Sequence, residues 1–223
     1  EILQALPSDQ TLVHEIRGGK AHNIIPRDAW CLLSVDKSLL PVFQKVIEDI
    51  KGRWSSFQPE SDQQFFAKLE EADKKVVGIT NLELKKLTSF LIAFPHGAHK
   101  YDLASHKELV ALSNNLAITL LVKGKFYLLA SLRFFDRQEC VGLEEQIKAL
   151  AFMMNLTVKK HGEYPSWKPV RENKLLDQIC SVYEGLYHKK PRVTAIHAGL
   201  ECGILRDKIG PIDAVSFGPT IMG

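Results

Sequence analysis

The stretch AITLLVKGKFYLLASLR (117–133) decides the fold. Two apolar runs, AITLLV (117–122) and FYLLASLR (126–133), flank Lys123-Gly124-Lys125, and a short Gly-containing break between two such runs is a hairpin signal. An antiparallel sheet is therefore expected. A helix follows it, with Leu143, Ile147, Leu150 and Met154 on one face, and NLTVKKHGEY (155–164) reads as a returning strand. The same plan stands earlier in the chain. Strands are expected over 11–16 and 29–35, and Ser38 is placed to cap a helix whose apolar residues Leu39, Leu40, Phe43, Val46, Ile47 and Ile50 recur at helical spacing. A further strand is read at 65–70. Thr80 and Glu83 form a capping box at the head of another helix, which Pro95 ends. Both halves read strand, strand, helix, strand: a weak internal repeat of an antiparallel sheet with helices on one face.

EYPSWKP (163–169) breaks this plan with two prolines and reads as a linker. Beyond it come a helix at 172–187, an apolar strand RVTAIHA, a short helix LECGILRDKI and a strand DAVSFG. That is the rhythm of a mostly parallel sheet. The expected class is α/β, with an α+β domain over 1–164 and part of a parallel α/β domain over 165–223.

The totals narrow the function. The 223 residues suit one large or two small domains. A net charge of +3 is too small to argue for nucleic acid. No apolar run reaches membrane-span length, and EILQALPSDQ is not a signal peptide. It reads as the end of a helix, and SFGPTIMG as an abrupt stop, so a piece of a longer protein is expected. Cys31, Cys140, Cys180 and Cys202 are scattered, which favours a reducing cytoplasm.

HAGLECG (197–203) packs His197, Glu201 and Cys202 among glycines. A metal site, a Cys/His nucleophile and a tight strand-to-helix turn are the three readings. Zinc sites need converging ligands, and no second Cys/His cluster with ligand spacing accompanies this one. A nucleophile pair needs a base oriented by a third group. The turn is favoured, at the carboxyl end of a parallel strand where open α/β sheets bind ligands; Gly199 there would let a backbone N–H meet a substrate. In GGKAHNIIPRDA (18–29), His22, Asn23 and Arg27 surround a proline in an ordinary-looking loop. Arg133 closes an apolar strand, where an unpaired cation is costly. It would pair with Asp136 or Glu139, or clamp a carboxylate. His96, His99 and His106 read as loop residues, and Trp30, Trp54 and Trp167 as core or boundary packing.

GGKAHNIIPRDA, SLRFFDR (131–137), GEYPSWKP (162–169), VTAIHAGLECGILRDKI (193–209) and DAVSFGPTI (213–221) together resemble the aminoacyl-histidine dipeptidases of the peptidase D type, dinuclear zinc exopeptidases related to carnosinases. The resemblance covers nearly the whole chain, and HAGLECG with SFGPTI is its most specific part. It implies a cytosolic hydrolase of dipeptides such as carnosine, built as a catalytic domain holding two zinc ions and a lid that closes over substrate and forms a homodimer. Residues 1–164 would be most of the lid, and 165–223 the last part of the catalytic domain. The catalytic residues and all metal ligands would lie outside this chain, the last ligand being a His two residues beyond Gly223, so the chain alone would be inactive.

Three positions carry over as substrate-binding residues. Asn23 matches a lid Asn that reaches the partner subunit's substrate. Arg133 matches a lid Arg that binds the substrate carboxylate, and Gly199 matches a glycine whose backbone contacts substrate. His197, Glu201 and Cys202 do not fall on metal-ligand positions. Two departures concern substrate preference. Lys20-Ala21-His22 stands where the family is more basic, and Phe134-Phe135 where it has small hydroxyl residues. The rival reading is a non-catalytic dimerisation or protein-interaction module.

Overall fold

A computed structural model describes residues 2–5, 11–58, 66–72, 78–79, 81–102, 109–163, 165–168, 170, 172–196 and 201–218. They form two compact units. The first comprises Glu1–Phe94, Leu116–Ala130 and Phe152–Asn155, and the second Pro95–Asn115, Ser131–Ala151 and Leu156–Gly223.

In the first unit β1 (Thr11–Gly18) pairs antiparallel with β2 (Ala29–Val35), the two expected strands. The register slips between Val13 and Glu15, so His14 is the extra residue of a bulge. A bulge resets the alternation of a strand, which lets Val13 and Ile16 both face the core. On its other edge β1 pairs with the end of β4 (Val110–Val122), Ile16 opposite Leu121 and Gly18 opposite Thr119. Two helices cover one face of these strands. Phe43 and Ile47 of α2 (Leu40–Ser55) pack on Leu33 and Val35, with Ile2 and Leu3 of α1 (Ile2–Ala5) beside them. Leu84 and Leu87 of α3 (Asn81–Ala93) pack on Val13, Ile16 and Leu121. Burying such residues stabilises by roughly 1.5–3 kcal/mol each before entropy is counted.

In the second unit β3 (Gly97–Tyr101) pairs antiparallel with 110–114 of β4. β4 also pairs with β5 (Lys125–Phe134). Their turn is the two residues Lys123 and Gly124, with φ of 52° and 71°; a two-residue turn with both φ positive matches the twist of a hairpin. Leu132 and Phe134 of β5 pack with Leu112, Cys140, Leu143 and Ile147, the last two on α4 (Val141–Met153). Both hairpins lead into their helices by one device. An aspartate, Asp36 or Asp136, accepts a hydrogen bond from the N–H two residues on and opens a short 3-10 turn before α2 or α4. Asp36 thus caps the turn that leads into α2, with Ser38 as the residue it caps, and α2 itself follows Leu39 without a side-chain cap.

The mixture of helices with an antiparallel sheet is the expected α/β class. Four expected strands are absent from the described residues. Among the described residues 66–70, 155–163, 192–196 and 213–218 have no regular structure, and Phe66, Val193, Ile196 and Phe217 are exposed. A strand needs a neighbour for its N–H and C=O groups, and no described strand supplies one here. β3 replaces the loop expected around His99. The capping box of Thr80 falls outside the described residues. Helices α5 (Lys174–Tyr187) and α6 (Glu201–Ile209) lie where the sequence places them.

Candidate functional site

Asn23 stands on the loop between β1 and β2, its side chain exposed. The loop closes on itself: Gly19 N–H donates to Asp28 O at 3.3 Å, Ile24 N–H donates to Ala21 O at 3.4 Å, and Lys20 pairs with Asp28 at 3.6 Å. Trp30, expected in core or boundary packing, is half-exposed at the start of β2 with the Arg17 guanidinium 5.5 Å from its ring centre. Trp54 is half-exposed as well.

Arg133 is half-buried, one residue from the end of β5. Alternation turns it away from the face that carries Leu132 and Phe134 into the Cys140 cluster. The backbone around it is held on both sides. Phe135 packs on Leu109 and Ala111, its N–H donates to Ala111 O at 3.0 Å, and its carbonyl accepts from Ser166 Oγ at 2.6 Å. A guanidinium on so fixed a strand is suited to a carboxylate, which it meets with two parallel N–H donors. Of the acids considered as its partners, Asp136 accepts from Gln138 N–H and Glu139 pairs with Lys100. Phe134 and Phe135, the departures from the family pattern, are packing residues of this unit.

Just beyond lies a group that the sequence did not disclose. Arg137 reaches Glu144 at 3.0 Å and Glu163 at 2.7 Å, and Lys160 reaches the same two carboxylates at 2.9 and 3.2 Å. Four charges of alternating sign close a ring that ties the irregular run 155–163 to α4. Partial burial alone would raise Glu144, but the hydrogen bonds from Lys160 and Arg137 outweigh it and hold the carboxyl below its ordinary value. The hydrogen bond from Lys160 does the same for Glu163. Arg137 also donates to the buried Cys140 Sγ at 2.8 Å, and burial pushes that thiol up. Such a thiol is a structural group rather than a nucleophile. Lys160 and Glu163 are three residues apart, but the other pairs span seven to twenty-six residues, beyond any local pairing rule.

Of HAGLECG, residues 197–200 lie outside the described residues, Gly199 and His197 among them. Glu201, Cys202 and Gly203 open α6. The helix half of the expected turn is present, whereas the described part of the preceding run, 191–196, is not a strand. Gly203 meets the linker so closely that a Cβ would fall 2.7 Å from Pro165 O. No three His, Cys, Asp or Glu side chains among the described residues gather as a metal site, so the two zinc ions implied by the resemblance find no ligand set in them. No helix among these residues is long and apolar enough to cross a membrane.

No protein-family model matches the chain. Over 210 residues it is 23% identical to the cytosol non-specific dipeptidase of Escherichia coli (strain K12), which takes in 94% of this chain and 43% of that protein. Its fold matches the crystal structure of aminoacylhistidine dipeptidase from Vibrio alginolyticus with a TM-score of 0.74 at 27% identity, again over 94% of this chain and 43% of the other. The chain is homologous to a dipeptidase. The resemblance drawn from the five motifs is borne out in sequence and in fold. The chain spans less than half the length of either relative.

Proposed function

We propose that the intact protein carrying this chain is a metal-dependent dipeptidase of the cytoplasm, acting as a homodimer on dipeptides of the Xaa-His kind such as carnosine. In this reading 1–164 is most of the lid and 165–223 the end of the catalytic domain. The observation that supports it is the reach of the likeness: 94% of the chain follows two peptidases, one by sequence and one by fold. The relative's printed name supports the cytosol, as do four cysteines that all stay free. The ligands of the two zinc ions belong to residues other than those described, and the steps assigned to this chain are binding and positioning.

Those steps follow from the residues. A dipeptide carries a charge at each end. Arg133 on its rigid strand takes the carboxylate, which fixes the register of the scissile bond and disfavours longer peptides. Asn23, exposed on its loop, offers an amide to the substrate of the partner subunit, and Gly199 a backbone N–H to that of its own. Holding a substrate at three points lowers the entropy left to lose at the transition state.

Replacing Arg133 by Ala in the intact enzyme tests this. A charged hydrogen bond is worth about 1.5–3 kcal/mol, so kcat/KM for a free dipeptide is expected to fall by roughly 10–150-fold. The same dipeptide with an amidated C-terminus, already poor in the wild type, is expected to lose little more. Equal losses on both substrates would remove Arg133 from carboxylate binding. Absence of dipeptide hydrolysis by the intact metal-loaded protein would remove the whole reading.

A further inference from the structure

Most side chains of the loop 19–28 face solvent. Asn23, Ile24, Ile25 and Arg27 are exposed, and the exposed Lys20–Asp28 pair contributes little. The loop is held at its neck by backbone. Gly19 has φ +74°, its N–H closes the loop on Asp28 O, and its α-carbon rests on the backbone of β4. A Cβ at this position would fall 1.8 Å from Ala117 O and 2.9 Å from Ala117 C, with Pro26 Cγ 3.3 Å away. Ala117 is fully buried, and its strand is paired with β1 from Thr119 to Leu121. The carbonyl is therefore the fixed partner, and the loop is the part that has to move. Gly18, one residue earlier, is different: its Cβ would meet Ala29 Cβ at 3.5 Å and Asp28 O at 4.0 Å, ordinary contacts.

We propose that Gly19 is a positioning residue for Asn23. The bare α-carbon seats the loop on the Ala117 carbonyl, and that seat sets where the Asn23 amide stands when a dipeptide binds. The proposal rests on the reading of Asn23 as a substrate contact. A side chain at 19 has to lift the neck by more than about 1 Å, in a left-handed conformation that L residues disfavour. A misplacement of about 1 Å costs on the order of 100-fold in a positioned reaction.

The test compares G18A, G19A, N23A and the G19A/N23A double variant in the intact protein, with kcat and KM measured separately on one dipeptide. Amide hydrogen exchange of 20–28 is followed in parallel. G19A is expected to lower kcat/KM by about 10–100-fold, G18A to stay near wild type, and the double variant to be no worse than the poorer single one, as for two residues acting through one contact. Exchange in 20–28 is expected to rise in G19A while β1 and β2 keep their protection. If N23A lowers kcat/KM and G19A behaves like G18A, the proposal is overturned. If the G19A and N23A losses multiply, it is overturned too. If N23A changes nothing, the reading of Asn23 has failed instead, and the exchange of 20–28 in G19A still decides whether Gly19 seats the loop. Should G19A not fold, P26A removes the ring carbon that stands 3.3 Å from the same Cβ position and so loosens the neck. It is expected to raise exchange in 20–28 and lower kcat/KM in the same sense; unchanged values for both would count against the seat.

Discussion

Gly52 and Gly203 both sit inside helices, and a propensity scale treats them alike. Their surroundings do not. Nothing lies within 4 Å of a Cβ built on Gly52, whereas one built on Gly203 meets Pro165 O at 2.7 Å and the Ser166 carbonyl at 3.1 Å. Gly52→Ala is expected to stabilise by about 0.5–1 kcal/mol, by removing unfolded-state freedom from an exposed helix position. Gly203→Ala is expected to destabilise by about 1–3 kcal/mol, because the linker backbone has to yield to the new methyl. Urea unfolding of both variants checks the contrast, and equal shifts would mean that the linker does not bear on α6. The sequence marks Arg133 because a cation ending an apolar strand is unusual in itself, and Asn23, in an ordinary-looking loop, only through the family resemblance. It could not mark Gly19 over Gly18, or Gly203 over Gly52. What separates these pairs is a φ angle or a carbonyl brought near by distant residues.

Asn173 shows the same limit for an element. As the cap of α5 its side-chain oxygen accepts from Leu176 N–H at 3.0 Å, a local bond of a kind sequence patterns foretell. Its amide nitrogen also donates to Ala214 O at 3.0 Å, and Lys174 N–H donates to Asp213 Oδ2 at 3.0 Å. The start of α5 is thus tied to a run forty residues later. Asn173→Asp keeps the cap and loses the second bond; Asn173→Ala loses both. Ala is expected to cost about 1.5–3 kcal/mol and Asp about half of that. Thermal unfolding of the two variants measures the difference, and identical values would show that the bond to Ala214 adds nothing. Helices were legible because their period and caps are local. Strands were legible where a hairpin supplied the partner, as in β1 with β2 and β4 with β5. The runs at 155–163, 192–196 and 213–218 have strand-like composition without a described neighbour to pair with. β3, GAHKY, has poor composition and pairs because β4 lies beside it.

At the scale of the whole chain the two units are expected to respond to opposite ends of the pH range. In the second unit the depressed carboxyls of Glu144 and Glu163 belong to the charge ring. A carboxyl held below its unfolded value stabilises above that value, about 4.3 for glutamate, and the contribution is lost as pH falls through the folded value. In the first unit burial pushes the Cys31 thiol up to about 12. A thiol raised above its unfolded value of about 8.5 stabilises fully below that value, and the contribution is lost as pH rises toward 12. Acid is therefore expected to loosen α4 first, and alkali β1 and β2. Amide exchange, corrected for intrinsic rates and read for α4 and for β1 across pH 3.5 to 10, separates the two. Glu144→Gln is expected to weaken α4 by about 1–2 kcal/mol at neutral pH, through loss of the ring. That difference should shrink toward zero below about pH 4 as wild-type Glu144 itself takes up a proton. Cys31→Ala is expected to flatten the alkaline limb of β1 and leave α4 unchanged. A single pH profile shared by α4 and β1, unmoved by either substitution, would show that neither the ring nor the buried thiol governs the unit that contains it.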